Sequence, residues 1–174
     1  ELHMPVWQLI SIYESLMQFG KPLGLRDFGT RAFNSMRMEK MYRAYGTEFT
    51  EEISGLEAGM DRFLDLSREF IGSTNMLQRQ ANGLSIQLAY LVFDDDVPAE
   101  CFGNEAVFAN GDHTGIITGG AYGYRVEKSL AFAYLKPEHC NVGQALTVET
   151  SVGTRHCHVE LDAAYNPNNS LLRG

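Results

Sequence analysis

Short apolar runs alternate with turn signals throughout the second half of the chain, and this pattern limits the folds open to it. Asn110-Gly111 is a strong signal for a tight β-hairpin, and Lys136-Pro137 and Gly119-Gly120 also mark turns. Six strands are predicted, over 85–93, 106–108, 114–118, 129–134, 145–152 and 154–161. Short strands at even spacing favour a small antiparallel barrel or sandwich.

The first part of the chain has helical spacing instead. Apolar residues three and four positions apart predict a helix over 6–19, and a second helix is predicted over 28–42 with Asp27 as its cap. Residues 55–60 are then predicted to be a loop that leads into a short strand ending at Phe63, followed by a short helix around 67–70 and a connector over 78–82. The change of texture near 77–84 divides the chain into two predicted domains, residues 1–80 and 81–174, of the α+β class.

The segment 34–46 concentrates ionisable and aromatic side chains at the end of the second predicted helix. Arg37, Glu39, Tyr42, Arg43 and Tyr45 lie within nine positions. Glu39 and Arg43 are four residues apart on a helix, so they are neighbours that can pair. One interpretation is the solvated side of an ordinary amphipathic helix. The other is that an arginine and a tyrosine face a cleft.

Composition excludes some classes of partner. Hydrophobic residues make up 44% of the chain, which is typical of a globular protein with a core. The net charge of −8 argues against nucleic acid, since binding a polyanion requires a clustered basic face. No apolar run has the length of a membrane span, so no membrane partner is expected. Three cysteines, Cys101, Cys140 and Cys157, contain no CxxC pair, which favours reduced thiols that act as small core residues.

The chain starts Glu1-Leu2-His3-Met4-Pro5, without an initiator methionine. A lone extended segment is not stable in water, so we expect a fragment whose upstream part supplies the neighbouring strands. The alternative is that Glu1 to Met4 is the remnant of a tag.

Six segments in order resemble one family. The second of them is Asn-Ser-Met-Arg-Met-Glu-Lys-Met-Tyr-Arg-Ala-Tyr-Gly, and the set is 1–5, 34–46, 56–59, 69–72, 119–131 and 165–167. Together they resemble the aminomethyltransferase family, also called the glycine-cleavage T-protein family. Segments 34–46 and 119–131 are similar to the folate-binding C-terminal half of dimethylglycine and sarcosine dehydrogenases.

The resemblance implies part of a helix-and-sheet folate-binding domain followed by a small antiparallel β-barrel domain. It also implies tetrahydrofolate as cofactor, with Glu1, Arg37, Tyr45, Tyr122 and Tyr124 as candidate folate-binding residues. The T-protein has an arginine where this chain has Phe33. Arg37 therefore stays open as an anion partner or as a member of a structural ion pair. The catalytic aspartate of the family lies upstream of Glu1, as does any FAD domain, so no catalytic residue is expected here and the fragment alone is expected to be inactive.

The implied reaction captures a one-carbon unit from a methylated amine on a folate held in a dry cleft, where positioning supplies most of the acceleration. The expected partners are this small-molecule donor and folate, in the bacterial cytoplasm or the mitochondrial matrix. Two alternatives stay open. One is a folate-dependent demethylase acting on a sulfonium or other methylated donor. The other is a non-catalytic carrier or interaction module with the same fold.

Other motifs carry weaker signals. His156 and His158 project from the same side of a strand, a spacing found in metal sites, but no third ligand is evident and a solvated strand face is the preferred interpretation. No metal site is predicted. The glycines at 119–123 lack the spacing of a phosphate loop and are interpreted as a turn. Asp94-Asp95-Asp96 is interpreted as a solvated polar turn.

Overall fold

The computed structural model describes residues 2–173 and contains two compact units, which divide between Phe33 and Asn34. In the first unit a 3₁₀ turn, Val6–Gln8, leads into helix α1, Leu9–Gly20, and a second 3₁₀ turn covers Lys21–Leu23. The helix predicted over 6–19 is confirmed. The division into domains at residue 80 stays a prediction.

The second unit contains a closed six-stranded barrel. Its strands are β1 (Gln87–Phe93), β2 (Ala106–Ala109), β3 (Asp112–Gly123), β4 (Lys128–Leu135), β5 (Ala145–Thr150) and β6 (Gly153–Glu160). They follow the order β1-β4-β3-β2-β5-β6 around the barrel, and every pairing is antiparallel. The predicted α+β class with a small antiparallel barrel is confirmed.

Strands β1 and β4 are buried on both faces, which explains their nearly continuous apolar sequence. On one face, Leu91 and Phe93 belong to the barrel core. On the other face, Tyr90 and Phe132 pack with Met38, and the two rings lie 5.3 Å apart between centroids. The hydroxyl of Tyr90 also donates a hydrogen bond to the carbonyl oxygen of Met38 at 2.8 Å. The barrel therefore offers a second apolar surface to the segment that contains Met38.

Helix α2 is shorter than predicted, since it covers Thr30–Glu39 and not 28–42. The carboxylate of Asp27, the predicted cap, accepts a hydrogen bond from the Tyr13 hydroxyl at 2.8 Å. After Glu39 the backbone turns at Met41, whose φ of 56° is left-handed. Tyr42 and Tyr45 consequently lie in the loop that follows the helix.

The region between α2 and the barrel differs most from its prediction. Residues 56–63 form turns and the 3₁₀ helix Asp61–Phe63, not a strand, and 67–70 is not helical. Helix α3, Ser73–Asn82, replaces the predicted connector. Its sequence is mostly polar, so apolar periodicity could not reveal it. Gly72, with a φ of 92°, provides the left-handed residue at which the chain enters the helix.

Strand β3 continues through Gly119-Gly120, where a turn was predicted. A Cβ atom on Gly120 would lie 2.7 Å from the carbonyl oxygen of Leu130 on the neighbouring strand. The glycine is therefore needed for close approach of two strands, which is the other common reason for glycine within a sheet.

The three aspartates after β1, Asp94, Asp95 and Asp96, are 50%, 37% and 88% exposed, as the prediction of a solvated polar turn expects, and each also contacts a side chain of the barrel. Their partners lie on β6 and β4, in the pairs Asp94–His158, Asp95–Arg155 and Asp96–Lys128. Asp95 accepts two hydrogen bonds from Arg155, at 2.6 and 3.0 Å, and Arg155 is 4% exposed. The connection that follows β1 is thereby fixed to the barrel.

The cysteines and the C-terminal helix complete the description of the second unit. Cys101 and Cys157 are buried in the barrel core, and burial raises the pKa of each thiol to about 12, so both are inert core residues as predicted. The last described element is the short helix α4, Ser170–Arg173. None of the helices within residues 2–173 is long and apolar enough to cross a bilayer.

We predict that Asp95→Asn lowers the melting temperature at neutral pH by more than Asp96→Asn does. The hydrogen bonds from Arg155 hold the pKa of Asp95 below its ordinary value, so the ionised form stabilises the fold. This stabilisation is present above the unfolded pKa of about 3.9 and is lost as the pH falls through the lower folded pKa.

Thermal melts followed by circular dichroism at neutral pH and at about pH 3 test this prediction. In a chain of this size, a loss of 1 kcal/mol in the free energy of unfolding lowers the melting temperature by about 2–4 °C. The difference between the parent chain and Asp95→Asn should shrink at the lower pH. Asp96, whose side chain is 88% exposed, provides the matched control from the same turn. Equal melting temperatures for both variants at neutral pH would contradict the prediction.

Candidate functional site

A buried ion pair fixes the end of helix α2. Nη1 of Arg37 lies 2.9 Å from Oε2 of Glu48, and the two side chains are 8% and 0% exposed. Arg37 also donates from Nε to Oδ1 of Asn34 at 2.8 Å and from Nη1 to the carbonyl of Tyr42 at 3.0 Å. The interpretation of a solvated charged face is therefore wrong for Arg37. The structure gives it the geometry of a structural ion pair, and its use as a folate ligand stays a prediction.

Of the two residues in this ion pair, Glu48 takes part in more hydrogen bonds. Besides the ion pair, its carboxylate accepts hydrogen bonds from the Ala44 backbone N–H and from the hydroxyls of Thr47 and Thr118, each at 2.8 Å. Its carbonyl oxygen accepts a further bond from the Tyr134 hydroxyl at 2.7 Å. A buried carboxylate is tolerated only when its oxygens are satisfied in this way. In the sequence Glu48 was part of an irregular acidic stretch, and nothing there indicated its burial.

The predicted pair between Glu39 and Arg43 does not form. Oε1 of Glu39 accepts a hydrogen bond from the backbone N–H of Arg125 at 2.7 Å, while Nε of Arg43 donates to the carbonyl of Ala58 at 2.9 Å. The reason is that α2 ends at Glu39, so Arg43 is not on the next turn of the same helix.

A cleft of about 580 Å³ lies beside the end of α2. One wall is the loop that follows the helix, a second is the segment 59–63, and a third is the C-terminal segment 161–169. The aromatic side chains at the cleft are Tyr42, Phe49 and Phe63. The fold thus brings three separate stretches of the second unit around one concave surface.

The charged groups of the cleft are three cations and one carboxylate: Lys40, Arg43, Arg62 and Asp162. The ammonium of Lys40 donates to two acceptors of the C-terminal segment, at 2.8 and 2.6 Å. Arg43 is half-buried, and burial followed by the nearby charge of Arg62 lowers its pKa. The cleft is therefore locally cationic, although the chain as a whole has a net charge of −8.

The candidate folate residues are not assembled into one group. Tyr45 is 80% exposed, and its backbone pairs with that of Phe49, which lines the cleft. Tyr122 and Tyr124 form an edge-to-face pair with ring centroids 5.2 Å apart, and neither lines the cleft. Glu1 lies outside the described residues. The ligand roles of these tyrosines stay predictions.

The basic residues of the cleft were not predicted from the sequence. Lys40 was assigned to the helix predicted over 28–42, Arg43 was considered only as a partner of Glu39, and Arg62 was assigned to a strand. The one sequence feature that could have drawn attention to them is the scarcity of basic residues, since the chain has 14 basic and 22 acidic residues. Their convergence depends on the turns of loops, which pattern analysis does not resolve.

The histidine pair of β6 has a local explanation. Nδ1 of His158 lies 2.6 Å from Asp94, and Nε2 lies 3.2 Å from Glu160. His156 is exposed on the same strand. Across residues 2–173, no three metal-binding side chains come together in a group that could hold an ion.

Two family models match the chain in order. Residues 1–68 match the GCVT N-terminal domain, and residues 87–165 match the glycine cleavage T-protein C-terminal barrel domain. The second match falls on the six-stranded barrel.

The chain is also similar to individual proteins of this kind, in sequence and in structure. The chain is 40% identical over 143 residues to human mitochondrial dimethylglycine dehydrogenase, covering 80% of this chain and 16% of the relative. It is 28% identical over 186 residues to human mitochondrial sarcosine dehydrogenase, covering 100% of this chain and 20% of the relative. The crystal structure of glycine cleavage system aminomethyltransferase T from Bartonella henselae has the same fold. Its TM-score is 0.83 at 17% identity, over 94% of this chain and 45% of that one. The chain therefore spans only a minor part of these dehydrogenases.

We predict that Glu48→Gln lowers the free energy of unfolding by about 3 kcal/mol, because it leaves the buried guanidinium of Arg37 without its counter-charge. Urea denaturation measures the change. The exposed Glu52 gives the matched control, and Glu52→Gln should stay within about 0.5 kcal/mol.

The coupling between the two partners provides the decisive comparison. Arg37→Gln combined with Glu48→Gln should lose less stability than the sum of the single variants, because the double variant leaves no unpaired charge. Strictly additive losses would show that the ion pair contributes no interaction of its own.

Proposed function

The chain belongs to the glycine cleavage T-protein family, and we propose that it forms part of a tetrahydrofolate-dependent one-carbon transfer enzyme. The cleft at the end of α2 carries the proposal, because it combines aromatic side chains with cations. The finer assignment that we propose is the folate-binding half of a dimethylglycine or sarcosine dehydrogenase. The sites of action would then be the mitochondrial matrix or the bacterial cytoplasm.

The residues at the cleft fit a reduced folate. A volume of about 580 Å³ falls within the range of about 300–1,000 Å³ for small-molecule sites. Phe49 and Phe63 offer apolar surface to a flat heterocycle, and Arg43 and Arg62 offer counter-charges to the carboxylates of the glutamate tail. Both ends of the ligand thus have chemically matched neighbours.

When bound, tetrahydrofolate supplies the nitrogens that capture a one-carbon unit from a methylated amine. The residues of this chain hold and orient it, and positioning of this kind is a major source of rate acceleration. Among residues 2–173, the carboxylate that lines the cleft is Asp162, and it is exposed. We therefore propose that the acid–base group lies in another part of the enzyme and that these 174 residues alone do not turn over substrate.

The candidate ligands take different roles in this proposal. Tyr45 contacts folate at the rim of the cleft, since its backbone pairs with Phe49. Arg37 acts as a positioning residue, because its donors are engaged by Glu48, Asn34 and Tyr42. Tyr122 and Tyr124 are proposed as secondary contacts.

We predict that tetrahydrofolate binds the 174-residue chain and that Phe63→Ala weakens binding by about fivefold to tenfold. Loss of an aromatic contact worth about 1 kcal/mol gives a change of this size. Phe63 is 62% exposed, so its truncation should leave the fold intact. Isothermal titration calorimetry under anaerobic conditions measures both dissociation constants.

Phe102→Ala is the matched control, because Phe102 is 71% exposed and does not line the cleft. Its dissociation constant should equal that of the parent chain. Background heat with the parent chain would remove the proposal that this part of the enzyme holds folate. Equal weakening by both substitutions would place folate outside the cleft.

A further inference from the structure

We propose that Arg43 and Arg62 form a binding site for an oxyanion, a carboxylate or a phosphate group, in the cleft beside helix α2. Under the proposed function these two arginines hold the carboxylates of the folate tail, and the inference goes further in one respect: the site binds such a group on its own, without the rest of folate.

Arg43 is held in place by contacts that leave much of its donor capacity unused. Nε donates to the carbonyl of Ala58 at 2.9 Å, and the guanidinium lies 5.8 Å from the centroid of the Phe132 ring. Its other contacts, to the carbonyls of Met41 and Gly59, are both 3.4 Å long. That length is at the weak end for a hydrogen bond. The guanidinium is therefore oriented while its terminal N–H groups are poorly satisfied.

Arg62 completes the site from the opposite segment. Its guanidinium lies over the ring of Phe63, 4.6 Å from the centroid, and both residues line the cleft. The charge of Arg62 acts on Arg43 strongly enough to lower the pKa of Arg43, second only to burial. Two like charges therefore line one cleft, and that of Arg43 is half-buried.

The arginines with a structural role in this fold are each paired with a carboxylate. Arg37 pairs with Glu48, Arg79 with Glu57 and Arg155 with Asp95, at 2.9, 2.7 and 2.6 Å.

Neither Arg43 nor Arg62 forms an ion pair with a carboxylate of residues 2–173. Asp162 lines the same cleft without reaching either guanidinium, and Glu48, whose field acts on Arg43, is already saturated by other donors. A half-buried cation with a like-charged neighbour and no counter-ion is unfavourable unless an anion arrives. The planar donors of an arginine match carboxylate and phosphate oxygens, so these are the groups that the site takes.

Calorimetric titration of the 174-residue chain with glutarate and, separately, with inorganic phosphate tests the site in low-salt buffer without folate. At least one of the two anions should bind, and the comparison identifies which oxyanion is preferred. Arg62→Gln should weaken that binding by about tenfold, equivalent to about 1.4 kcal/mol. Arg68→Gln removes the same charge from an exposed turn outside the cleft and should change the dissociation constant by less than about twofold.

Arg43→Lys gives a second, independent variant, because it keeps the charge and loses the planar donors. It should also weaken binding, with near-UV circular dichroism confirming that the fold is retained. No heat with either anion, or equal weakening by Arg62→Gln and Arg68→Gln, would overturn the site. Tetrahydrofolate is titrated separately. Anion binding without folate binding would remove only the proposed function, and folate binding without anion binding would remove only this site.

Discussion

The second unit depends on one buried charge, the carboxylate of Glu48. Removing a carboxylate from water is so unfavourable that the surrounding groups must be arranged to satisfy it. Here Arg37 comes from helix α2, Ala44 and Thr47 from the loop after it, and Thr118 from strand β3. Because these donors come from three different elements, satisfying one side chain fixes the helix, the loop and the barrel wall relative to each other.

The cleft is a consequence of that arrangement. With α2 ending at Glu39 and Met38 buried against the barrel, the chain must leave the helix over the outer face of β4. The loop then reaches Arg43, whose guanidinium lies over Phe132 and donates to the carbonyl of Ala58. Arg43, which we propose as a ligand-binding group, is therefore placed by the backbone and by a barrel side chain.

The barrel could be predicted from the sequence, and the site could not, for a physical reason. Alternating apolar runs and Asn110-Gly111 report local backbone preference, which survives into the fold. Gly120 was ambiguous, because a turn and a close strand contact both require glycine. The burial of Glu48 and the convergence of Arg43 with Arg62 depend on contacts between distant segments, and no local pattern records these. The family resemblance drew attention to segment 34–46, but it did not show which arginine of that segment lacks a counter-ion.

The charge of the whole chain and the charge of the cleft have opposite signs, and they act at different ranges. At physiological ionic strength screening reduces interactions beyond about 8 Å, so the overall charge of −8 mainly affects how often an anion reaches the protein. Once an anion is in the cleft, its energy is set by groups in contact with it, and these are guanidiniums on a partly desolvated surface. An acidic protein can therefore hold an anionic ligand, provided that the cations which bind it have no internal carboxylate as competitor. Among the fixed arginines of the second unit, Arg43 satisfies that condition and Arg37 does not.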